Sequence, residues 1–465
     1  LKKITLLILS LFMFTLTFDF VSATPAEGVQ LEPMKMEQDV APLLELDNDV
    51  EIFQLEQGAQ NNRTMTPSFR ISAEGERKND YPIILVHGLM GFGREEAAGL
   101  LYWGGFRDIE AYLSNSGYRA LTASIGAVSS NWDRACELYA QIKGGTVDYG
   151  EAHSKLHGHD RYGITYEGLY PEWGEINPET GEVNKVHLIG HSMGGQTIRV
   201  LTELLSDGHP EEASLTSADS ISPLFTGGKS WVHSATSIST PHDGTSLLHI
   251  LDDKVPFTRQ LITLLAAFNG VIDNDLYDFQ LEQWGLARGN GEELSSYFDR
   301  VMNSHIWDTS DISKYDLSPE GAKQLNSWVE AQPDVYYFSV ANEQTYSGFF
   351  TGHHYPELFM NPLFAPTSYL MGKYTHNGSV NIDQSWWEND GLVSTVSMDK
   401  PSFGSSDAAV FYNGKAQIGK WNYLGVLSQV DHTDIVGIGG YDMRPWYRGL
   451  ASLLGSLDTL DKKTE

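Results

Sequence analysis

Cysteine is nearly absent: Cys136 is alone among 465 residues, so no intrachain disulfide and no cysteine-rich zinc cluster can form. Any metal must be held by His, Asp or Glu. Positive charge is also scarce, with 31 Lys and Arg against 61 Asp and Glu and a net charge of -30. A surface of that sign repels a phosphate backbone, which excludes nucleic acid as an expected partner. Long hydrophobic runs are missing too, since the apolar stretch 4–18 falls short of the roughly 20 residues that span a bilayer. No integral membrane anchor is therefore expected. What is plentiful is core material: 41% of residues are hydrophobic, which excludes disorder of the whole chain and allows two or three domains or one elaborated α/β domain.

Lys2 and Lys3 precede that apolar stretch and Val21-Ser22-Ala23 follows it, the pattern of a signal peptide over 1–23 and of a secreted, extracellular protein. Between 24 and 56, nine acidic residues are offset by Lys35 alone, so 24–78 reads as an acidic leader or pro-segment. Export without disulfides leaves stability to a large core or a metal. From 79 to 465 no long linker or internal repeat appears, and this stretch is expected to be one domain.

Pro82-Ile83-Ile84-Leu85-Val86 is a short continuous apolar run ending at His87-Gly88, as expected of a strand covered on both faces. Similar runs recur at 118–124, 186–190, 231–237 and 335–340, with helix-like stretches at 194–205 and 322–329. The alternation predicts an α/β fold with a mostly parallel central sheet.

The second of those pairs carries chemistry. Val186-His187-Leu188-Ile189-Gly190-His191-Ser192-Met193-Gly194-Gly195 is an apolar strand running through G-x-S-x-G into a helix. A strand-to-helix turn that sharp needs small residues on either side of the serine, and it lifts the hydroxyl clear of the sheet. Ser192 is the candidate nucleophile. It needs a histidine to take its proton and an acid to orient that histidine, both later in the chain. Among nine downstream histidines, His432 lies in a polar turn before a final helix-like stretch, and Asp390 lies in a turn before Leu392-Val393. A surface-loop reading competes for each. His242-Asp243 is a decoy, because adjacent residues cannot readily face one another. For the oxyanion, the backbone N–H of Met193 pairs with one from the loop after the first strand, where Leu89 is the natural donor.

Several long strings carry a resemblance beyond the serine motif: HGLMGFGREE at 87–96, YWGG at 102–105, SSNWDRACE at 129–137, GGTVDYGEAH at 144–153, HGHDRYG at 157–163 and ENDGLVSTVSM at 388–398. With TPHDGT at 240–245, QWGL at 283–286 and YDLS at 315–318, the chain resembles the secreted thermoalkalophilic triacylglycerol lipases of bacilli and their staphylococcal relatives. The resemblance implies an α/β-hydrolase fold with Ser192 as nucleophile, Asp390 as acid and His432 as base. It implies a triacylglycerol or other lipid ester, met at an oil–water interface, as substrate. A carboxylesterase or phospholipase on the same scaffold is the alternative.

The same resemblance implies a structural zinc, held by Asp133, His153, His159 and Asp311 in an insertion over about 102–180. On the residues alone His153 and His157 are a tempting i, i+4 pair, but Gly158 argues against a regular helix there, and the resemblance selects His159. Two imidazoles with two carboxylates close a tetrahedral site and leave no position for a reacting water. A calcium near the His432 loop is implied as well, through Asp434, a backbone oxygen at Phe359 and an acidic position that falls here at Gly439, followed by Gly440. Losing that carboxylate weakens an ion that prefers six to eight oxygens. Finally, 255–272 is more apolar than a surface helix should be; a buried core helix would explain it, whereas the resemblance implies a lid over about 245–286.

Overall fold

The computed structural model describes residues 76–97, 99–254 and 277–459. The expected signal peptide, nearly all of the leader and the centre of the expected lid lie outside the described residues. Within them the chain forms strands β1 (Ile83–Val86), β2 (Ala120–Thr122), β3 (Gly145–Asp148), β4 (Tyr162–Tyr166), β5 (Val186–His191), β6 (Val232–Ile238) and β7 (Tyr336–Glu343). They are followed by β8 (Thr345–Ser347), β9 (His354–Pro356), β10 (His376–Asn377), β11 (Asn381–Ile382), β12 (Ala409–Phe411) and β13 (Trp421–Ser428). A seven-stranded sheet runs in the order β12-β13-β7-β6-β5-β1-β2, and each neighbouring pair in it is parallel.

The apolar runs become its centre. Every residue of β1, β5 and β6 is buried, because helices cover both faces and no alternation with solvent remains. β2 is shorter than its run predicts and only half-buried, being the last strand on its edge. Of the helices, α1 (Asn131–Lys143), α2 (Glu151–His157) and α3 (Met193–Ser206) bear on function. In α3, Ile198, Val200, Leu201, Leu204 and Leu205 join one core with Ala135, Leu138 and Ile142 of α1 and Val186 and Leu188 of β5. Truncating such a leucine to alanine costs about 2–5 kcal/mol.

The strands β12 and β13 were not legible as continuous runs. In Trp421–Ser428 exposed and buried residues intermingle, and a register shift interrupts the pairing with β7 between Tyr423 and Val426. The helix expected at 322–329 is observed as Pro319–Asn326, started by Ser318, whose side chain accepts from Gly321 N, with Pro319 in the first turn.

Candidate active site and metal centre

Parallel strands place their C-terminal ends, and the loops that follow, on one edge of the sheet. Ser192 follows β5 directly and adopts φ 55° and ψ -129°, a strained turn for a non-glycine residue. The turn is possible because nothing projects beside it: a Cβ on Gly190 would lie 2.4 Å from the Gly194 carbonyl, and one on Gly194 would lie 2.4 Å from Val86 O.

Ser192 Oγ lies 2.9 Å from His432 Nε2, and His432 Nδ1 lies 2.7 Å from Asp390 Oδ2. Asp390 is fixed independently, since its Oδ1 accepts the backbone N–H groups of Leu392 and Val393 at 3.1 and 2.9 Å, and its carbonyl accepts His432 N–H. A carboxylate held this way keeps the imidazole proton on Nδ1, leaving Nε2 to accept from the serine hydroxyl. All three side chains are buried. The decoy pair is used elsewhere: His242 Nε2 meets Ser237 Oγ at 2.8 Å, and Asp243 Oδ1 accepts Ser402 N, Phe403 N and Asn326 Nδ2.

The loop after β1 is pressed against Ser192, so closely that a Cβ on Gly88 would lie 2.7 Å from Ser192 Cβ. Two side chains absent from the sequence reading hold that loop. Buried Arg134, the residue after Asp133 on α1, donates to the carbonyls of His87 and Gly126 and to Thr197 Oγ1; it sits 3.5 Å from Gly88 O. From the other side, Gly88 N–H donates to Tyr102 Oη at 2.9 Å. Tyr102 Oη lies 2.6 Å from His191 Nδ1, and His191 Nε2 lies 3.0 Å from the His432 carbonyl. Burial, with His432 nearby, holds the His191 pKa well below its ordinary value, so the ring is neutral with one proton. One assignment satisfies every contact: Tyr102 O–H donates to Nδ1, and Nε2–H donates to His432 O. In a trans peptide the N–H points opposite to the preceding C=O, so Leu89 N–H faces away from the Arg134 side. The Met193 N–H belongs to the unpaired first turn of α3.

The four residues named for zinc converge. Asp133 stands in the first turn of α1, capped by Ser130; His153 is on α2; Asp311 follows the short helix His305–Asp308. Gly158 ends α2 in the left-handed conformation, φ 81° and ψ 35°, and that reversal swings His159 back to the cluster. His157 remains on α2 with its ring 4.5 Å from that of His153, outside the converging set. One ligand atom from each of Asp133, His153, His159 and Asp311 lies within 4.8 Å of the others. The His153 Nε2 contacts to Asp133 and Asp311 are 3.3 and 3.1 Å, and those of His159 Nε2 are 3.9 and 3.2 Å. A tetrahedral zinc with bonds near 2.0 Å needs donors about 3.3 Å apart.

The polar accounting agrees with a cation there. Asp133 Oδ1 and His159 Nε2 are buried without a hydrogen-bond partner, which is costly unless an ion occupies their common centre. His159 Nδ1 lies 2.8 Å from Asp160 O, fixing its proton on the far side, and Gln283 Nε2 donates to Asp133 Oδ2 at 2.8 Å. Such outer contacts aim ligands at a metal. Gln283 comes from the end of the expected lid. That end is buried: Phe279 and Leu281 are inaccessible, and the Trp284 ring lies 4.8 Å from His159.

Around the expected calcium position, Asp434 is buried and Phe359 is exposed. A Cβ on Gly439 would lie 2.0 Å from Asp434 Oδ1, so the carboxylate folds over the glycine where an acid was expected. Asp431 beside it accepts Asn361, Thr433 and Asp434 N–H groups. Among the described residues only the Asp133 cluster gathers three or more His, Cys, Asp or Glu ligand atoms.

A parallel sheet with a serine on the sharp turn after a central strand, facing a histidine and an aspartate from later loops, defines the α/β-hydrolase fold. The chain belongs to the family described as "Lipase-like, C-terminal domain", whose model matches residues 79–459. It is 40% identical over 374 residues to Lipase 1 of Staphylococcus aureus (strain MRSA252), covering 79% of this chain and 52% of that protein. The chain thus spans about half the length of the curated relatives it matches. Among solved structures, EstA from Clostridium botulinum superposes with a TM-score of 0.78 at 45% identity, covering 90% of this chain and 98% of that one. Lipase 1 from Pelosinus fermentans gives 0.74 at 51% identity, with 82% and 100% covered.

Proposed function

We propose that the protein is a secreted triacylglycerol lipase that cleaves long-chain carboxylic esters through an acyl-serine. The observation that carries this reading is the unbroken line Asp390–His432–Ser192, with contacts of 2.7 and 2.9 Å. His432 Nε2 takes the hydroxyl proton as Ser192 Oγ attacks the ester carbonyl. The negative charge that develops on oxygen is received by the Leu89 and Met193 N–H groups, and Asp390 stabilises the imidazolium. His432 then returns the proton to the departing alcohol. Water, deprotonated by His432, repeats the sequence and releases the fatty acid.

In this reading zinc is the ion of the Asp133, His153, His159 and Asp311 cluster. When bound it supplies folding energy and no reacting position. These residues tie α1, α2 and the segment around Gln283 together at one point. Calcium has less to hold it, because Asp431 already serves three backbone donors and Gly439 brings no carboxylate. Export rests on the N-terminal pattern at 1–23. No helix among the described residues is long and apolar enough to cross a membrane.

The test is hydrolysis of a triacylglycerol series of increasing chain length, with soluble short-chain esters beside it. A rate that rises as substrate passes from monomer to emulsion supports a lipase. A preference confined to dissolved short esters would replace this reading with a carboxylesterase, and release of fatty acid from phospholipid alone with a phospholipase.

A further inference from the structure

Charged residues make up 20% of this chain, yet between 344 and 382 only Glu357 and Lys373 are charged, and they cancel. The same stretch exposes apolar side chains. Phe349 and Phe350 are 94% and 95% exposed, and Leu358 and Phe359 are 65% and 83% exposed. The first pair forms the tip of the β8–β9 hairpin. Gly348 N–H donates to His353 O at 2.7 Å and Gly352 N–H to Gly348 O at 2.8 Å, closing the loop beneath the two rings. The rings meet edge to face at 5.1 Å. An ordered, closed loop that offers two whole phenyl groups to solvent lowers the solubility of an otherwise acidic molecule, so something is gained there.

The patch is tied to the catalytic loops. β8 begins two residues after β7 ends on the edge of the sheet that bears Ser192. Gln344 N–H donates to the carbonyl of Asn389, the residue before Asp390, and Glu357 N–H donates to Gln344 O. Asn361 N–H donates to Asp431, the residue before His432, and Thr367 Oγ1 donates to Gly391 O. The apolar tips therefore stand on the same frame as the acid and the base. Phe411, 68% exposed, stands instead on the edge strand β12, which pairs with β13.

We infer that Phe349, Phe350, Leu358 and Phe359 form a fixed wedge that inserts into an uncharged lipid surface and holds the catalytic face against it. The occupant follows from charge: a protein of net charge -30 is repelled by anionic lipid, whereas the stretch 344–382 adds no net charge to that repulsion and offers phenyl groups to the boundary layer of an uncharged surface. The wedge is distinct from a lid, because it needs no conformational change. It rests on the lipase reading for its purpose, but lipid binding is measured separately from hydrolysis.

The experiment uses the full chain carrying Ser192→Ala, so that no lipid is consumed, and measures co-sedimentation with phosphatidylcholine vesicles and with vesicles containing phosphatidylglycerol. The parent is expected to bind phosphatidylcholine, and to bind less as the anionic fraction rises. Adding Phe349→Ser and Phe350→Ser should weaken partitioning at least tenfold, while Phe411→Ser leaves it unchanged. With Ser192 restored, the Phe349→Ser, Phe350→Ser variant should lose emulsion hydrolysis in parallel and keep kcat/KM on a soluble ester. Equal partitioning of parent and double variant overturns the inference, as does an equal loss from Phe411→Ser. It is also overturned if the parent is a dimer that the double variant dissociates while vesicle binding is unchanged. Absence of soluble-ester hydrolysis in the wild type would refute the hydrolase reading and leave the vesicle result standing.

Discussion

A backbone donor cannot be deleted by truncating a side chain, but it can be pushed out of place. A methyl group at position 88 would sit 2.7 Å from Ser192 Cβ, 3.0 Å from His191 O and 3.1 Å from Tyr102 Oη. Carbon atoms pack at about 3.5–4.0 Å, so the loop must retreat by about 1 Å. Ser192 cannot yield instead, because Gly190 and Gly194 already touch backbone on either side. The retreat carries the 88–89 peptide with it and withdraws Leu89 N–H from the nascent oxyanion. Loss of one such donor costs about 3 kcal/mol of transition-state stabilisation, roughly a hundredfold in kcat. KM should change little, since the ground-state carbonyl gains less from that hydrogen bond. Overpacking should also lower stability by about 1–3 kcal/mol. The assay is steady-state hydrolysis of a soluble ester by Gly88→Ala, beside its thermal unfolding. A folded variant with near wild-type kcat would refute the assignment of the loop after β1 to the oxyanion.

Ser192→Ala should abolish ester hydrolysis with the unfolding temperature unchanged, and a serine-directed phosphonate should label the wild type only; turnover by the variant would remove Ser192 from its role. Zinc at about a thousand times its Kd adds about 4 kcal/mol, or roughly 5 °C for a body of this size, so chelation or His159→Ala should lower the melting temperature first. A chelator that stopped hydrolysis at once, with no thermal shift, would contradict a structural ion. Glu203 has its pKa raised from 4.5 to about 7, chiefly by burial, while it accepts Glu330 N–H and Gln332 Nε2. The folded state thus holds a proton that the unfolded state has released, and stability falls as pH climbs from about 4.5 through 7. Glu203→Gln keeps an acceptor without the charge and should gain roughly 2 kcal/mol over wild type at pH 8, with the difference gone below pH 4. Denaturant melts at the two pH values check this.

The centre of the fold was legible because strands covered on both faces are rich in apolar and small residues: 83–86 is uninterrupted, and the polar residues within 186–190 and 231–237 are buried, His187 Nδ1 lying 2.7 Å from Ser234 Oγ. Trp421–Ser428 was not, since its neighbours leave half its residues partly open and its register shifts. The elbow serine was readable from local geometry alone. His432 and Asp390 were readable only as candidates, turn residues for which a surface-loop reading competed, and the resemblance decided between the two readings. Gly158 does not prevent the helix that it was expected to exclude, since Glu151–His157 is helical and carries both His153 and His157; it ends that helix, and the reversal it makes puts His159 beside His153. Tyr102, Arg134 and His191 went unread because each acts through partners tens to hundreds of residues away, and no sequence period marks such a contact. In sequence a buried arginine such as Arg134 looks no different from an exposed one.

The first turn of α1 faces two ways. Asp133 points into the metal cluster and Arg134, its neighbour, grips the carbonyls under the loop beside Ser192. An engineer who wished to shorten this protein by excising 102–180 would find no clean seam. The same few residues of helix, inside that stretch, join the ligand cluster and hold up the loop beside Ser192, so the cut would need a new buttress for the loop after β1. Transplanting the insertion to a simpler hydrolase meets the converse difficulty, because its Asp133 brings along a guanidinium that must find four waiting acceptors.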